Sequence, residues 1–178
     1  MLPAERYTRT AAVLHWLIAL LVLAMFPLGL YMADLKLSPD KLKLYSYHKW
    51  LGVTVFALAL LRVLWRLTHT PPAFPASLPV WQQRAAHHGH LLLYILLFAA
   101  PLTGWLMSSA LGFQTVWFGV LPLPDLLDKN ESLGETLKTV HRYVNYAFAI
   151  VVVGHIAAAL KHHWWDRDGT MDRMRIFR

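Results

Sequence analysis

Ten histidines punctuate the 178-residue chain, and seven of them fall in or at the ends of apolar runs, where an imidazole is costly unless something binds it. His141 and His155 stand 14 residues apart in one such run. On a helix that is about 21 Å along the axis and close to four turns, so both rings leave nearly the same face. A single metal ion would want its ligands one turn apart. Two imidazoles this far apart suit two stacked macrocycles, each with its own axial ligand. His48 opens a second run at the level of His141. His15 lies about one turn into a first run, at a depth comparable with His155. Spacing therefore pairs His48 with His141 and His15 with His155.

Other histidines compete or assist. His90 heads a third apolar run and could replace His15 or His155. His15 is preferred because His90 is expected nearer the boundary, in a water-facing cluster with His87 and His88. His162 follows His155 by seven residues, on about the same face and about 10 Å further along. There it could hold a quinone head group or relay a proton, as could His87 and His90. His69 reads as an interfacial histidine satisfied by a hydrogen bond. Gly52, one turn after His48, and Gly154, beside His155, would leave room for a flat ring. Small residues equally serve direct helix packing in membranes.

The elements that must position these side chains are four apolar stretches of spanning length, at about residues 11–32, 47–67, 90–111 and 141–163. Hydrophobic residues make up 57% of the chain and charged residues 15%, against roughly 45–50% and 25% in soluble domains. The expected fold is an all-α integral membrane four-helix bundle, one domain over residues 1–178. The first run is long, is interrupted by His15 and has no small-x-small cleavage site, so a retained helix is expected rather than a signal peptide. Ser38-Pro39-Asp40 is a helix-start signal. Pro71 and Pro72 stop the second helix, and residues 121–135 form a longer polar connection.

The formal net charge is +7, but the cations lie in short segments between apolar blocks, unlike the compact basic face of a nucleic-acid binder. They read as topology signals. With a cytoplasmic N-terminus, the inner side carries ten Lys/Arg, among them Arg62, Arg66 and Arg178, against four acids including Glu5. The outer side carries seven, among them Lys49 and Arg142, against six acids. Both termini are therefore expected in the cytoplasm. Most of the eight Trp lie near run ends, as an interfacial belt requires, with Trp81 in a loop. With no cysteine, thiolate clusters and covalent haem attachment are excluded.

The stretches RYTRTAAVLHWLIALLV, HKWLG with LRVLWRLTH, AAHHGHLLLYILLFAAPLTGW and VHRYVNYAFAIVVVGHIAAALKHHWW together resemble the bacterial cytochrome b561 family. The resemblance covers essentially the whole chain. It implies a bacterial inner-membrane cytochrome with two haems b, whose axial ligands are His15, His48, His141 and His155. It also implies electron exchange with ubiquinone, and in some members superoxide oxidation at the periplasmic face. Lys49, beside His48, and Arg142, beside His141, would then form a positive patch that attracts superoxide. A second reading is an electron-transfer subunit that links a partner dehydrogenase or redox protein to the quinone pool. The family is similar to the cytochrome b subunits of hydrogenases and formate dehydrogenases. A histidine-bearing metal transporter would need carboxylates inside the spans, and the four apolar cores have none.

Overall fold

The computed structural model describes residues 6–75 and 78–177. Glu5 and Arg178, counted above among the inner charges, lie outside the described residues. Four long helices dominate: α1 (Arg9–Asp34), α2 (Pro39–Thr68), α3 (Val80–Ala110) and α4 (Glu131–Lys161). All four are long and apolar enough to cross a membrane. Most of their surface faces outward, and it is apolar: Leu20, Leu23, Ile150 and Val153 are at least half exposed. Such a surface is stable only in lipid, where a helix satisfies its own backbone groups.

Local sequence explains the ends. Thr8, Ser38 and Asn130 cap α1, α2 and α4, each accepting a hydrogen bond from a first-turn backbone N–H. Each such cap stabilises a helix by about 1 kcal/mol. The helices outrun their apolar stretches. The third run begins at residue 90, but α3 begins at Val80. His90 is thus almost three turns into the helix rather than at its head, and Trp81 is in its first turn, not in a loop. Likewise, α4 starts ten residues before His141, and α2 starts nine before His48. A polar turn costs a helix little where it emerges into water, so hydropathy alone underestimates length.

Alternate helices run in opposite directions. The start of α1, the end of α2, the start of α3 and the end of α4 therefore lie at one end of the bundle, called here the terminal end. The α1–α2 and α3–α4 connections lie at the opposite, loop end. There the chain adds a small hairpin of β1 (Val116–Trp117) and β2 (Leu121–Pro122), antiparallel with Trp117 opposite Leu121. Gly119, at φ +71°, makes the tight turn. The hairpin is tied down by indole donors. Trp50 Nε1 donates to the Val116 carbonyl at 2.6 Å, Trp105 to Pro124 at 3.1 Å, and Trp117 to Thr54 Oγ1 at 3.2 Å. At the terminal end Trp65 donates to Thr8 Oγ1 at 2.9 Å and Trp16 to the Met174 carbonyl at 2.9 Å.

α1 packs mainly on α2, and α3 on α4, with α2 against α3 joining the pairs. The core is a mid-height apolar layer of Ile18, Val22, Val55, Ala59, Leu96, Leu97, Ala100 and Phe148. Phe148 stacks at a tilt on Phe26, 5.7 Å between centroids. This dry layer separates two groups of histidines.

Candidate functional site

Toward the loop end, α2 and α4 bring His48 and His141 together with ring centroids 6.3 Å apart and planes at 87°. Toward the terminal end, α1 and α4 bring His15 to 6.1 Å from His155. His90 of α3 also reaches His155, at 5.6 Å. The half-buried His90 is therefore a member of this second group and not of a water-facing cluster. His87, one turn away, is exposed, with its ring 5.6 Å from that of His88.

The His141 ring is held by its neighbours. Its Nδ1 lies 3.0 Å from Thr103 Oγ1. That hydroxyl is also within hydrogen-bond distance of the Ala99 and Ala100 carbonyls, at 2.8 and 3.0 Å. A hydroxyl has one proton to give. If it donates to the carbonyls, it accepts from His141 Nδ1–H, which leaves Nε2 with its lone pair free. Asn145 Nδ2 donates to the His141 carbonyl at 2.7 Å and lies 3.3 Å from either ring nitrogen. His48 differs: its Nδ1 is buried and has no hydrogen-bond partner among the described residues.

Glycines set the space. A Cβ on Gly104 would stand 3.0 Å from His141 Cε1, and one on Gly29 would stand 3.3 Å from His48 Cε1. Both are tighter than ordinary contact, so each loop-end imidazole lies close against a glycine of the neighbouring helix. The glycines singled out from sequence behave otherwise. A Cβ on Gly52 meets only Met25 at 3.6 Å, and one on Gly154 meets nothing within 4 Å.

These features fit an iron porphyrin. Two imidazole nitrogens at about 2 Å from one metal put ring centroids about 6 Å apart, close to the 6.3 and 6.1 Å separations seen. A buried nitrogen without a partner is the atom a metal or a second acceptor would satisfy.

The family model for prokaryotic cytochrome b561 matches residues 6–175. This chain belongs to the prokaryotic cytochrome b561 family. It is 36% identical to "Cytochrome b561 homolog 2" of Escherichia coli strain K12, over 96% of this chain and 91% of that protein. It is 29% identical to "Probable superoxide oxidase CybB" of Yersinia pestis, over 96% of both chains. It is 28% identical to "Cytochrome b561 homolog 1" of Escherichia coli strain K12, over 96% and 97%. Membership makes the chain a membrane electron-transfer protein of oxidoreductase type, from a family that binds haem b.

Other residues named from sequence fall at the two ends of this cytochrome b561 fold. Lys49 Nζ donates to the Phe113 carbonyl at 2.8 Å, while Arg142 is exposed. His162 is engaged at the terminal end. Its Nδ1 lies 2.7 Å from Asp168 Oδ2 and 3.1 Å from Asp166 Oδ2, and Lys161 pairs with Asp166 at 2.5 Å. That network anchors the C-terminal turn. His69 stacks on Trp65 at 3.9 Å and lies 2.9 Å from Thr68 Oγ1, a satisfied interfacial histidine. Thr103, Asn145, Arg62 and Tyr94 were not singled out from sequence. Only Arg62 carried a usable signal, a cation within an apolar run.

Proposed function

We propose that this chain is a superoxide:ubiquinone oxidoreductase of the bacterial inner membrane, with both termini cytoplasmic and two haems b bound. His48 and His141 would hold one haem toward the periplasm. His15 and His155 would hold the other toward the cytoplasm. Haem b, when bound, supplies a one-electron carrier at each level. The carrying observation is the pair of facing imidazoles at each of two heights, 6.3 and 6.1 Å apart, with an apolar layer between them.

Two superoxide anions each give up one electron and leave as dioxygen. Ubiquinone takes both electrons and two protons to become the quinol. The chain's own residues serve the two ends of that balance. Lys49 and Arg142 flank the outer imidazoles and raise the local concentration of a small anion. Lys49 is fixed by the Phe113 carbonyl, so its charge is held in place. Exposed His87 and half-buried His90, one turn apart on α3, offer a route for protons toward a quinone at the inner end. His162 could add to that route only by leaving its carboxylates. The CybB relative carries the superoxide oxidase name at 29% identity.

The test is optical. Superoxide should reduce the haems of the purified protein, the rate should fall steeply with salt, and added ubiquinone should reoxidise them. Replacing both Lys49 and Arg142 by Gln should lower the rate of reduction without removing haem. A rate indifferent to salt and to both substitutions would reject superoxide as the donor. It would favour the second reading, an electron-transfer subunit for a partner protein. What supports that alternative is the hairpin, whose Phe118, Val120 and Leu121 are more than half exposed at the loop end.

A further inference from the structure

Arg62 is a cation inside a spanning helix, and among the described residues no carboxylate answers it. Its Nη1 donates to the Ala11 carbonyl of α1 at 2.6 Å, and its Nε donates to the Tyr94 hydroxyl of α3 at 3.1 Å. Ala11 is one turn from His15, and Tyr94 is one turn from His90. The guanidinium therefore bridges α1 and α3 at the level of the His15–His90–His155 group. Arg66, one turn nearer the terminal end, has its guanidinium carbon 5.9 Å from the centre of the Tyr94 ring. A narrow crevice lined in part by Arg62, Trp65, Arg66 and Tyr94 runs from here toward Tyr7 and His69 at the terminal end, with no acidic residue among its lining. Among the described residues, neither arginine has an ion pair.

A positive charge at this depth is expensive, and such residues pair with one another or with backbone carbonyls and mark a pathway or ligand. Two neutral acceptors, a carbonyl and a phenol, orient Arg62 without cancelling its charge. They use Nη1 and Nε, which leaves other donors of the fork, a geometry suited to a carboxylate. A neutral quinone ring would not need a permanent cation. A lipid phosphate would meet exposed Arg66 first, whereas half-buried Arg62 is pinned inward by α1 and α3.

We propose that Arg62, oriented by Tyr94 and assisted by Arg66, is the counter-charge for a haem carboxylate at the His155 level. This rests on the dihaem reading above. Arg62 acts as a positioning and tuning residue, since a fixed positive charge beside the iron favours the reduced form.

The test compares wild-type, Arg62→Gln, Arg62→Lys and Tyr94→Phe holoproteins by optical redox titration and by haem transfer to apomyoglobin. Each is measured in non-ionic detergent and in nanodiscs with and without phosphatidylglycerol. In Arg62→Gln the midpoint potential of one haem should fall, and that haem should transfer about tenfold faster. The other haem should be unmoved. Arg62→Lys and Tyr94→Phe should show the same change in smaller measure, and they carry the test if Arg62→Gln does not accumulate. The fall should persist in a His141→Ala background, which locates it at His155. Unchanged potentials and transfer rates in all three variants, with both haems present, overturn the proposal alone. A change seen only with phosphatidylglycerol overturns it in favour of a lipid phosphate. A wild-type protein without haem overturns the dihaem reading and this proposal with it.

Discussion

Thr103 Oγ1 lies 3.0 Å from Nδ1 of His141, while Gly104, the next residue along α3, leaves the ring its room. One turn of α3 thus both orients the imidazole of α4 and clears space for it. On the proposed reading, Thr103→Val removes the acceptor for Nδ1–H, lowers the basicity of Nε2, and weakens haem binding at that level by about 10–100-fold. The potential of that haem should rise, with the His155-level haem unaffected and Thr103→Ser close to wild type. Redox titration with competitive haem transfer measures both. Equal shifts at both haems would mean that Thr103 acts on the bundle rather than on His141.

His15 and His90 both face His155, at 6.1 and 5.6 Å, so three imidazoles meet where the proposed haem would take two. With His15 and His155 as ligands, His15→Ala and His155→Ala each remove one b-type absorption signal. His90→Ala keeps both and slows quinone reduction instead. Loss of a haem in His90→Ala with retention in His15→Ala would exchange their roles. Absorption spectra of the three reduced variants decide between them.

The glycines should divide by what their missing side chain would meet. Gly104→Ala and Gly29→Ala push directly on His141 and His48 and should loosen the loop-end haem, the first more than the second. Gly154→Ala meets open space and should leave both haems and the melting temperature unchanged. Gly134→Ala drives a methyl into the Leu111 side chain and should cost about 1–3 kcal/mol by overpacking. Haem content and thermal unfolding across the four variants measure this order. A destabilised Gly154→Ala with a wild-type Gly104→Ala would contradict it.

The C-terminal turn carries a dependence on acid. Burial pushes the Asp168 carboxyl up, but hydrogen bonds from Thr170 and His162 outweigh it and hold the group below its ordinary value of 3.8. A carboxylate lowered on folding contributes stability in full above that ordinary value, and the contribution fades as pH falls through the lowered one. Protection of residues 162–177 against hydrogen exchange should therefore hold down to about pH 4 and decline below it. Asp168→Asn should be less protected at neutral pH and lack the acid-dependent decline. Identical profiles for the two proteins would remove Asp168 from the anchor.

Much of this architecture was legible in the sequence because lipid imposes a simple rule: a span is an apolar run of fixed length. The four helices and the two heights of His141 and His155 follow from that rule and the helical rise. What it misses is polar helix. Val80 to Gly89 continues α3 through Arg84, His87 and His88, so His90 reads from hydropathy as a boundary residue but is part of the terminal-end group with His155. The hairpin at Val116–Pro122 held no periodic signal, being two residues a side. Gly52 and Gly154 stand out by adjacency in sequence, whereas the glycines that touch the imidazoles, Gly29 and Gly104, come from neighbouring helices, which only tertiary packing reveals. Arg62 was counted as a topology charge, and its reach to Ala11 and Tyr94 depends on how three helices meet.

The most direct test is haem stoichiometry with ligand replacement. The purified chain should be red and carry two haems b, His141→Ala should carry only the inner one, and His155→Ala only the outer. A colourless wild-type protein, or two haems retained in either variant, would contradict the assignment of imidazole pairs at two heights.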